Sequence, residues 1–116
     1  MTMFEIPIAL GYLRSDVSGV RQPWDEERNR SLAARLGYQL AKTVAFSGHT
    51  DYPVQRLILV VRTTGAEAVF VPNLTHLGGS VPEELLQVAD VITIEPEATY
   101  ARWAIPPYAN PEMRTR

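Results

Sequence analysis

The stretch Val69-Phe-Val-Pro-Asn-Leu-Thr-His-Leu-Gly-Gly-Ser80 joins an apolar run to a loop of turn-forming residues. We predict a buried strand over residues 67–71, because short apolar runs rich in Val and Phe are typical of central strands in parallel sheets. The loop over residues 72–80 then follows the carboxyl end of that strand, where open α/β sheets usually bind ligands. His76 lies in this loop, and we expect its side chain to face solvent.

The segments around this stretch alternate between strand and helix patterns. We predict strands over residues 6–13, 38–46 and 91–94, a loop over 14–22, helices over 23–36 and 54–64, and a helix opened by a Ser80-Val-Pro-Glu83 capping box. Gly37 and Gly65 mark the ends of the two longer helices. The order βαβαβαβ predicts a three-layer α/β/α fold with a mainly parallel sheet of about four strands. The sequence leaves open whether the C-terminal segment adds an edge strand to this sheet.

The length of 116 residues fits one domain. We assign residues 1–98 to the α/β domain and residues 99–116 to a tail that contains proline and aromatic residues. Trp103 and Tyr108 are the tail residues best suited to a partner surface, although docking onto their own domain is the favoured interpretation. Trp24 is predicted to belong to the core.

The composition excludes several classes of function. The chain contains no cysteine, so it has neither disulfides nor thiolate metal ligands. Its formal net charge of −2 lacks the basic excess of a dedicated nucleic-acid-binding protein. No apolar run approaches the roughly 18 residues needed to span a bilayer, and no signal-peptide pattern is visible. We therefore expect a cytoplasmic protein without membrane contact, metal or cofactor.

Two motifs carry a resemblance to a known family. Gly11-Tyr-Leu-Arg-Ser-Asp16 ends the first predicted strand, and Leu74-Thr-His-Leu-Gly-Gly79 follows the third. Over residues 8–95 the chain resembles the catalytic domain of the serine recombinases of the resolvase/invertase type. That family opens with Gly-Tyr-x-Arg-x-Ser and carries Leu-Asp-Arg-Leu-x-Arg after its third strand. Gly11, Tyr12 and Arg14 match the first motif, and both leucines stand in frame with the second.

The chemistry-bearing positions of the family have changed in this chain. Asp16 occupies the position of the serine nucleophile, and Tyr52 occupies that of an arginine between a retained acid and a retained proline. The degenerate site positions are Tyr12, Arg14, Asp16, Asp51, Tyr52, Thr75, His76 and Gly79. The resemblance implies serine attack on a DNA phosphate, with arginines balancing the charge on phosphorus. Each lost charge donor commonly lowers the rate by about 10²–10³, so we predict a catalytically inactive member.

Single polar residues have simpler interpretations than catalysis. We expect Arg14 to pair with Asp16 or Asp51 rather than to act as a phosphate contact. Ser47, His49 and Asp51 alternate along one short segment, which cannot easily converge into a catalytic triad. We therefore interpret them as a polar turn.

The favoured function is a non-catalytic, resolvase-like module for protein interaction or regulation, with an unknown protein partner and self-association as a homodimer left open. One alternative is a repurposed phosphoryl or nucleotide hydrolase that uses Asp16, Arg14 and His76. A second alternative is an accessory protein that associates with DNA without cleaving it. The negative net charge makes this second alternative less favoured.

Overall fold

The computed structural model describes residues 5–103, which form a mixed α/β fold around one five-stranded sheet. The strands are β1 (Ile8–Arg14), β2 (Gln39–Phe46), β3 (Ala68–Val71), β4 (Asp90–Ile94) and β5 (Glu97–Tyr100). The helices are α1 (Ser15–Ser18), α2 (Gln22–Arg35), α3 (Pro53–Thr64) and α4 (Glu83–Leu86), and 3-10 turns span Gly19–Arg21 and Leu74–Leu77. The predicted α/β character is confirmed.

The strand order places β1 and β3 side by side near the middle of the sheet. The order is β2-β1-β3-β4-β5. The β1/β2, β1/β3 and β3/β4 pairs are parallel, and the β4/β5 pair is antiparallel. The chain therefore moves from β1 to one neighbour and then returns to the other side of β1. In open α/β sheets the carboxyl ends of the strands at such a reversal flank the usual ligand crevice.

The two long helices begin and end within one residue of the predicted bounds. Pro23 lies in the first turn of α2, and Gly37 after its end has a φ of 87°. Pro53 opens α3, and Gly65 ends it with a φ of 73°, while its N–H donates to the carbonyl of Val61 at 3.0 Å. A left-handed residue after a helix favours glycine, which has no Cβ to clash.

The buried residues fall into two clusters that use alternate residues of β1. Leu10 and Tyr12 pack in one cluster with Leu57 and Val61 of α3. Ala9 belongs to the other cluster, which contains Leu32 and Ala33 of α2 together with Ala68, Phe70 and Ile92. Successive side chains of a strand point to opposite faces, which accounts for the division of the β1 residues between the two clusters.

Residues 14–22 were predicted as a loop, and this was wrong. The chain passes from β1 directly into α1, then through a 3-10 turn into α2. The Ser18 hydroxyl is buried and donates to the Asp25 carboxylate at 2.7 Å. This contact joins α1 to the first turn of α2 and stabilises helical turns that the local sequence pattern does not indicate.

The predicted capping box was also wrong. Helix α4 has four residues, its N-cap is Pro82, and no side chain caps it by a hydrogen bond. Since the helix starts at Glu83, Ser80 lies too far upstream to serve as the N-cap.

The segment after residue 98 extends the sheet. Strand β5 begins at Glu97 and continues into the predicted tail, where it forms an antiparallel edge strand. The N–H of Trp103 donates to the carbonyl of Leu86 at 2.9 Å, so this part of the tail contacts the domain. Residues 104–116, including Tyr108, lie outside the described residues. Within residues 5–103, no helix is both long and apolar enough to cross a membrane.

Candidate functional site

The end of β1 and the loop after β3 meet through a hydrogen bond between Arg14 and His76. The backbone N–H of Arg14 donates to Nδ1 of His76 at 3.0 Å. The His76 side chain is only 2% exposed. The prediction that His76 faces solvent was therefore wrong, because a main-chain donor from β1 compensates for the burial of its ring nitrogen.

This hydrogen bond also fixes the protonation of the ring. Because Nδ1 accepts from an N–H, the neutral imidazole carries its proton on Nε2. Burial is the main cause that lowers the pKa of His76, and the positive charge of Arg14 acts in the same direction. The carboxylates of Asp25 and Asp16 oppose that shift without reversing it. His76 is therefore held as a neutral hydrogen-bonding group.

Arg14 directs its guanidinium to Asp16. Its Nε lies 3.1 Å from Oδ1 of Asp16, and its Nη2 lies 2.5 Å from Oδ2. The hydrogen bond with Arg14 is the main cause that lowers the pKa of Asp16, and the same bond raises the pKa of Arg14. Of the two predicted partners, Asp16 rather than Asp51 forms the ion pair. The guanidinium is thus already bound to a carboxylate in a bidentate geometry.

The loop after β2 packs against this ion pair. A Cβ placed on Gly48 would lie 2.8 Å from Oδ2 of Asp16 and 3.3 Å from Nη2 of Arg14. His49 contributes a further, smaller lowering of the Asp16 pKa. Only a residue without a side chain fits at position 48 while the pair keeps its geometry.

The serines on either side of Asp16 are engaged elsewhere. The Ser15 hydroxyl donates to the carbonyl of Phe46 at 3.4 Å, and that of Ser18 donates to Asp25. In the described structure neither hydroxyl is hydrogen-bonded to Arg14 or His76. Neither serine is thus paired with a histidine that could activate it as a nucleophile.

The segment around Asp51 forms a polar turn, as predicted. The His49 N–H donates to Oγ of Ser47 at 3.2 Å, and the Asp51 carbonyl accepts from Nε of Arg56 at 2.8 Å. Tyr52 is 75% exposed and has a φ of 50°, which a non-glycine residue rarely adopts. Arg56 therefore binds its own turn.

The loop after β3 uses its backbone donors internally. The Thr75 N–H donates to Oδ1 of Asn73 at 3.0 Å, and the N–H groups of Gly78 and Gly79 donate to the carbonyls of Thr75 and Leu74. Gly79 has a φ of 103°. The N–H groups of Gly78 and Gly79 are therefore not free to bind an anion.

Only part of the predicted set meets in one cleft. Tyr12, Arg14 and His76 line a cleft of about 160 Å³ together with Pro53, Val54, Leu77 and Gly78. Burial raises the pKa of Tyr12, whose ring packs edge-on against Phe46 at 5.8 Å between centroids. The other five predicted positions, Asp16, Asp51, Tyr52, Thr75 and Gly79, are not among the lining residues. Across residues 5–103, no group of three or more His, Cys, Asp or Glu side chains is placed to hold a metal ion.

Sequence reasoning missed a second group of residues near His76. Trp24 was predicted as core, yet it is 50% exposed, with the guanidinium carbons of Arg21 and Arg28 at 4.4 and 4.6 Å from its ring centroid. Trp24 and Arg28 are four residues apart on a helix, and this spacing was the signal in the sequence that their side chains are neighbours. Ser18 and Asp25 gave no such signal, because a hydrogen bond between two helices has no fixed spacing.

We compared the chain with protein-family models, with curated proteins and with solved structures, and none of these comparisons found a match. The recombinase relationship therefore stays a prediction from the motifs.

Proposed function

We propose that this chain is a resolvase-like α/β domain without strand-exchange chemistry, which acts in the cytoplasm as a protein-interaction or regulatory module. The bidentate ion pair between Arg14 and Asp16 is the observation that carries this proposal. Phosphoryl transfer on DNA depends on positive charge around the phosphorus. Here the matching arginine is neutralised by a carboxylate at the position of the expected nucleophile, and that carboxylate would also repel a phosphodiester.

The loop after β3 supports the same proposal. Thr75, His76 and Gly79 stand at the three charged positions of the family motif, and none of them supplies a fixed positive charge. Burial lowers the pKa of His76, so its ring stays neutral near pH 7. Its Nδ1 is occupied by the N–H of Arg14. Both strand ends therefore hold each other in place instead of presenting cations to a substrate.

The proposed three-layer, resolvase-like arrangement is supported by the two core clusters. Helix α2 packs in one cluster and helix α3 in the other, on alternate residues of β1. The parallel pairs β1/β2, β1/β3 and β3/β4 are compatible with helical crossovers on both faces of a sheet.

The arginines give little support to DNA association. Of the four arginines that the DNA alternative depends on, Arg14, Arg28 and Arg30 form ion pairs with Asp16, Glu95 and Glu27, respectively, and within residues 5–103 Arg21 forms none. In each pair the carboxylate offsets the charge of the guanidinium and so weakens its attraction for a phosphate. Together with the net charge of −2, this pairing favours a protein partner over DNA.

Exposed apolar side chains provide the surface for such a partner. Val20 lies in the 3-10 turn before α2 and is 99% exposed, and Trp24 lies in the first turn of α2 and is 50% exposed. Tyr52, just before α3, and Leu59, within α3, are also exposed. Large exposed apolar residues are enriched where proteins bind one another, and tryptophan and tyrosine often dominate the binding energy.

The proposal is tested by measuring turnover and self-association of the same purified protein. Hydrolysis of nucleotides and of a phosphodiester should not exceed the buffer rate, with or without Mg²⁺. Turnover that disappears in Asp16→Asn would instead support the repurposed hydrolase. Sedimentation at increasing concentration, with Leu59→Ser and Val20→Ser as variants, shows whether a second copy is the partner. DNA binding that weakens steeply with salt would support the accessory role instead.

A further inference from the structure

A second cavity adjoins His76, separate from the cleft beside Arg14. It has a volume of about 90 Å³ and lies between the start of α2 and the loops after β3 and β4. Its polar and charged lining residues are Ser18, Arg21, Asp25, Arg28, Asn73, His76 and Glu95. Of these, Ser18, Asp25 and His76 are more than nine-tenths buried. Buried polar groups of this kind normally have hydrogen-bond partners.

Asp25 presents an acceptor with unused capacity to this cavity. Its Oδ2 accepts from the Ser18 hydroxyl at 2.7 Å, and its side chain makes no ion pair or other hydrogen bond within residues 5–103. A carboxylate offers about four lone-pair sites. A buried carboxylate with a single donor is therefore suited to bind an N–H or O–H group of a ligand.

His76 lines the same cavity and has one ring nitrogen that can donate a hydrogen bond. Its Nδ1 accepts from Arg14, so Nε2 carries the proton. No atom of the described residues accepts a hydrogen bond from Nε2. Burial lowers the pKa of this histidine, which keeps the ring a neutral, single donor on this side.

Asp25 and His76 together favour a ligand group that can both accept and donate a hydrogen bond. Asp25 acts on His76 through its charge, but no hydrogen bond joins the two side chains. A carboxamide fits this pair, because its carbonyl accepts from Nε2 and its NH₂ donates to the carboxylate. A carboxylate at the same place would be repelled by Asp25. The cavity volume of about 90 Å³ is enough for a group of a few non-hydrogen atoms.

Arg21 adds a positive charge beside the cavity. Its side chain lies against the exposed ring of Trp24 and makes no ion pair within the described part of the chain. Arg28 is already paired with Glu95 at 3.2 Å. Arg21 is therefore the cation best placed to receive an anionic group attached to the carboxamide.

We infer that this cavity binds a small organic anion that carries a carboxamide, with Asp25 and His76 holding the amide and Arg21 holding the anionic group. This site is independent of the proposed interaction role, and either proposal can fail without the other. It also differs from the degenerate recombinase positions, with which it shares only His76.

Succinamate and succinate form a matched pair of probes, since they differ only in one carboxamide. Calorimetric titration of the full chain should show binding of succinamate and at least tenfold weaker binding of succinate, which corresponds to about 1.4 kcal/mol. The side-chain Nε2 resonance of His76 should shift with succinamate. Failure of succinamate to bind, or equal binding of both acids, would overturn the inference and leave a cavity suited only to water.

Three variants locate the binding in this cavity. Asp25→Asn should remove most of the discrimination between the two acids. Arg21→Ala should weaken binding of succinamate severalfold, and it should not unfold the protein because position 21 is exposed. This variant therefore tests the site even if Asp25→Asn fails to fold. Arg62→Ala on α3 is the matched control and should bind like the wild type. Unchanged affinity in Arg21→Ala would place the ligand elsewhere and would also overturn the inference.

Discussion

The main-chain nitrogen of Arg14 lies 3.0 Å from Nδ1 of His76, although the two residues are 62 positions apart. This hydrogen bond ties the carboxyl end of β1 to the loop after β3, at the position where the strand order reverses. It determines the tautomer and the burial of His76, and it orders the backbone that carries Arg14. The strand ends are therefore held by a neutral hydrogen bond and an ion pair instead of a cluster of cations.

Replacement of His76 by leucine should destabilise the fold. His76→Leu leaves the Arg14 N–H without its acceptor, which costs about 1–3 kcal/mol in the free energy of unfolding. Urea denaturation measures this loss. The matched control is His49→Leu in the exposed turn, which should change stability by less than about 0.5 kcal/mol. Equal effects of the two changes would show that the Arg14–His76 bond contributes nothing.

The free energy of unfolding should rise with pH in the range set by His76. Its pKa in the folded state lies below the ordinary value of 6.5. Between those two pKa values the unfolded chain binds more protons than the folded chain, so the free energy of unfolding increases with pH. The contribution of His76 is complete above pH 6.5. Denaturant unfolding between about pH 5 and pH 8 measures the slope. His76→Leu should lower the slope, and His49→Leu, which leaves His76 in place, should keep it.

Gly48→Ala should alter the ion pair while leaving the fold intact. The added methyl group would lie 2.8 Å from Oδ2 of Asp16 and must displace that carboxylate. The pKa of Asp16 should therefore move up toward its ordinary value, as measured by NMR titration. Stability should change by less than about 1 kcal/mol, since the displaced pair is partly exposed. An unchanged Asp16 pKa would mean that the loop after β2 does not pack on the pair.

Tyr52→Asn should stabilise the protein. Tyr52 has a φ of 50°, and asparagine tolerates this left-handed conformation better than other non-glycine residues. The melting temperature should rise by an amount equivalent to up to about 1 kcal/mol. Gln55→Asn within α3 is the control and should lower stability slightly, because asparagine is a weaker helix former. A lower melting temperature for Tyr52→Asn would indicate that the exposed ring makes a contact of its own.

Much of the fold could be predicted because its signals are local. Gly37 and Gly65 end the two long helices, and Pro23 and Pro53 lie in their first turns. The apolar runs that became β1 and β3 are recognisable because central strands are buried on both faces. The helical turns over residues 15–21 were missed, since a contact with Asp25 holds them rather than a local pattern.

The candidate site could be predicted less completely because its contacts are long-range. The Arg14–Asp16 pair spans two residues, and the sequence suggested it. The burial of His76 depends on a donor from another strand, and no spacing in the sequence indicates it. The cavity beside Asp25 arises where α2 meets two loops, so it becomes visible only once the sheet order is known.

Incubation with supercoiled plasmid tests most directly whether strand-exchange chemistry is absent. The wild type and Asp16→Ser, which places a serine where the resemblance puts the nucleophile, are each mixed with plasmid, denatured and analysed for covalent protein–DNA adducts. We predict no adduct with either protein, because the loop over residues 74–79 contains no arginine or lysine that could assist Arg14 in balancing the charge on phosphorus. A covalent adduct with the wild-type chain would contradict the account directly. An adduct with Asp16→Ser alone would show that the surrounding charges still support cleavage.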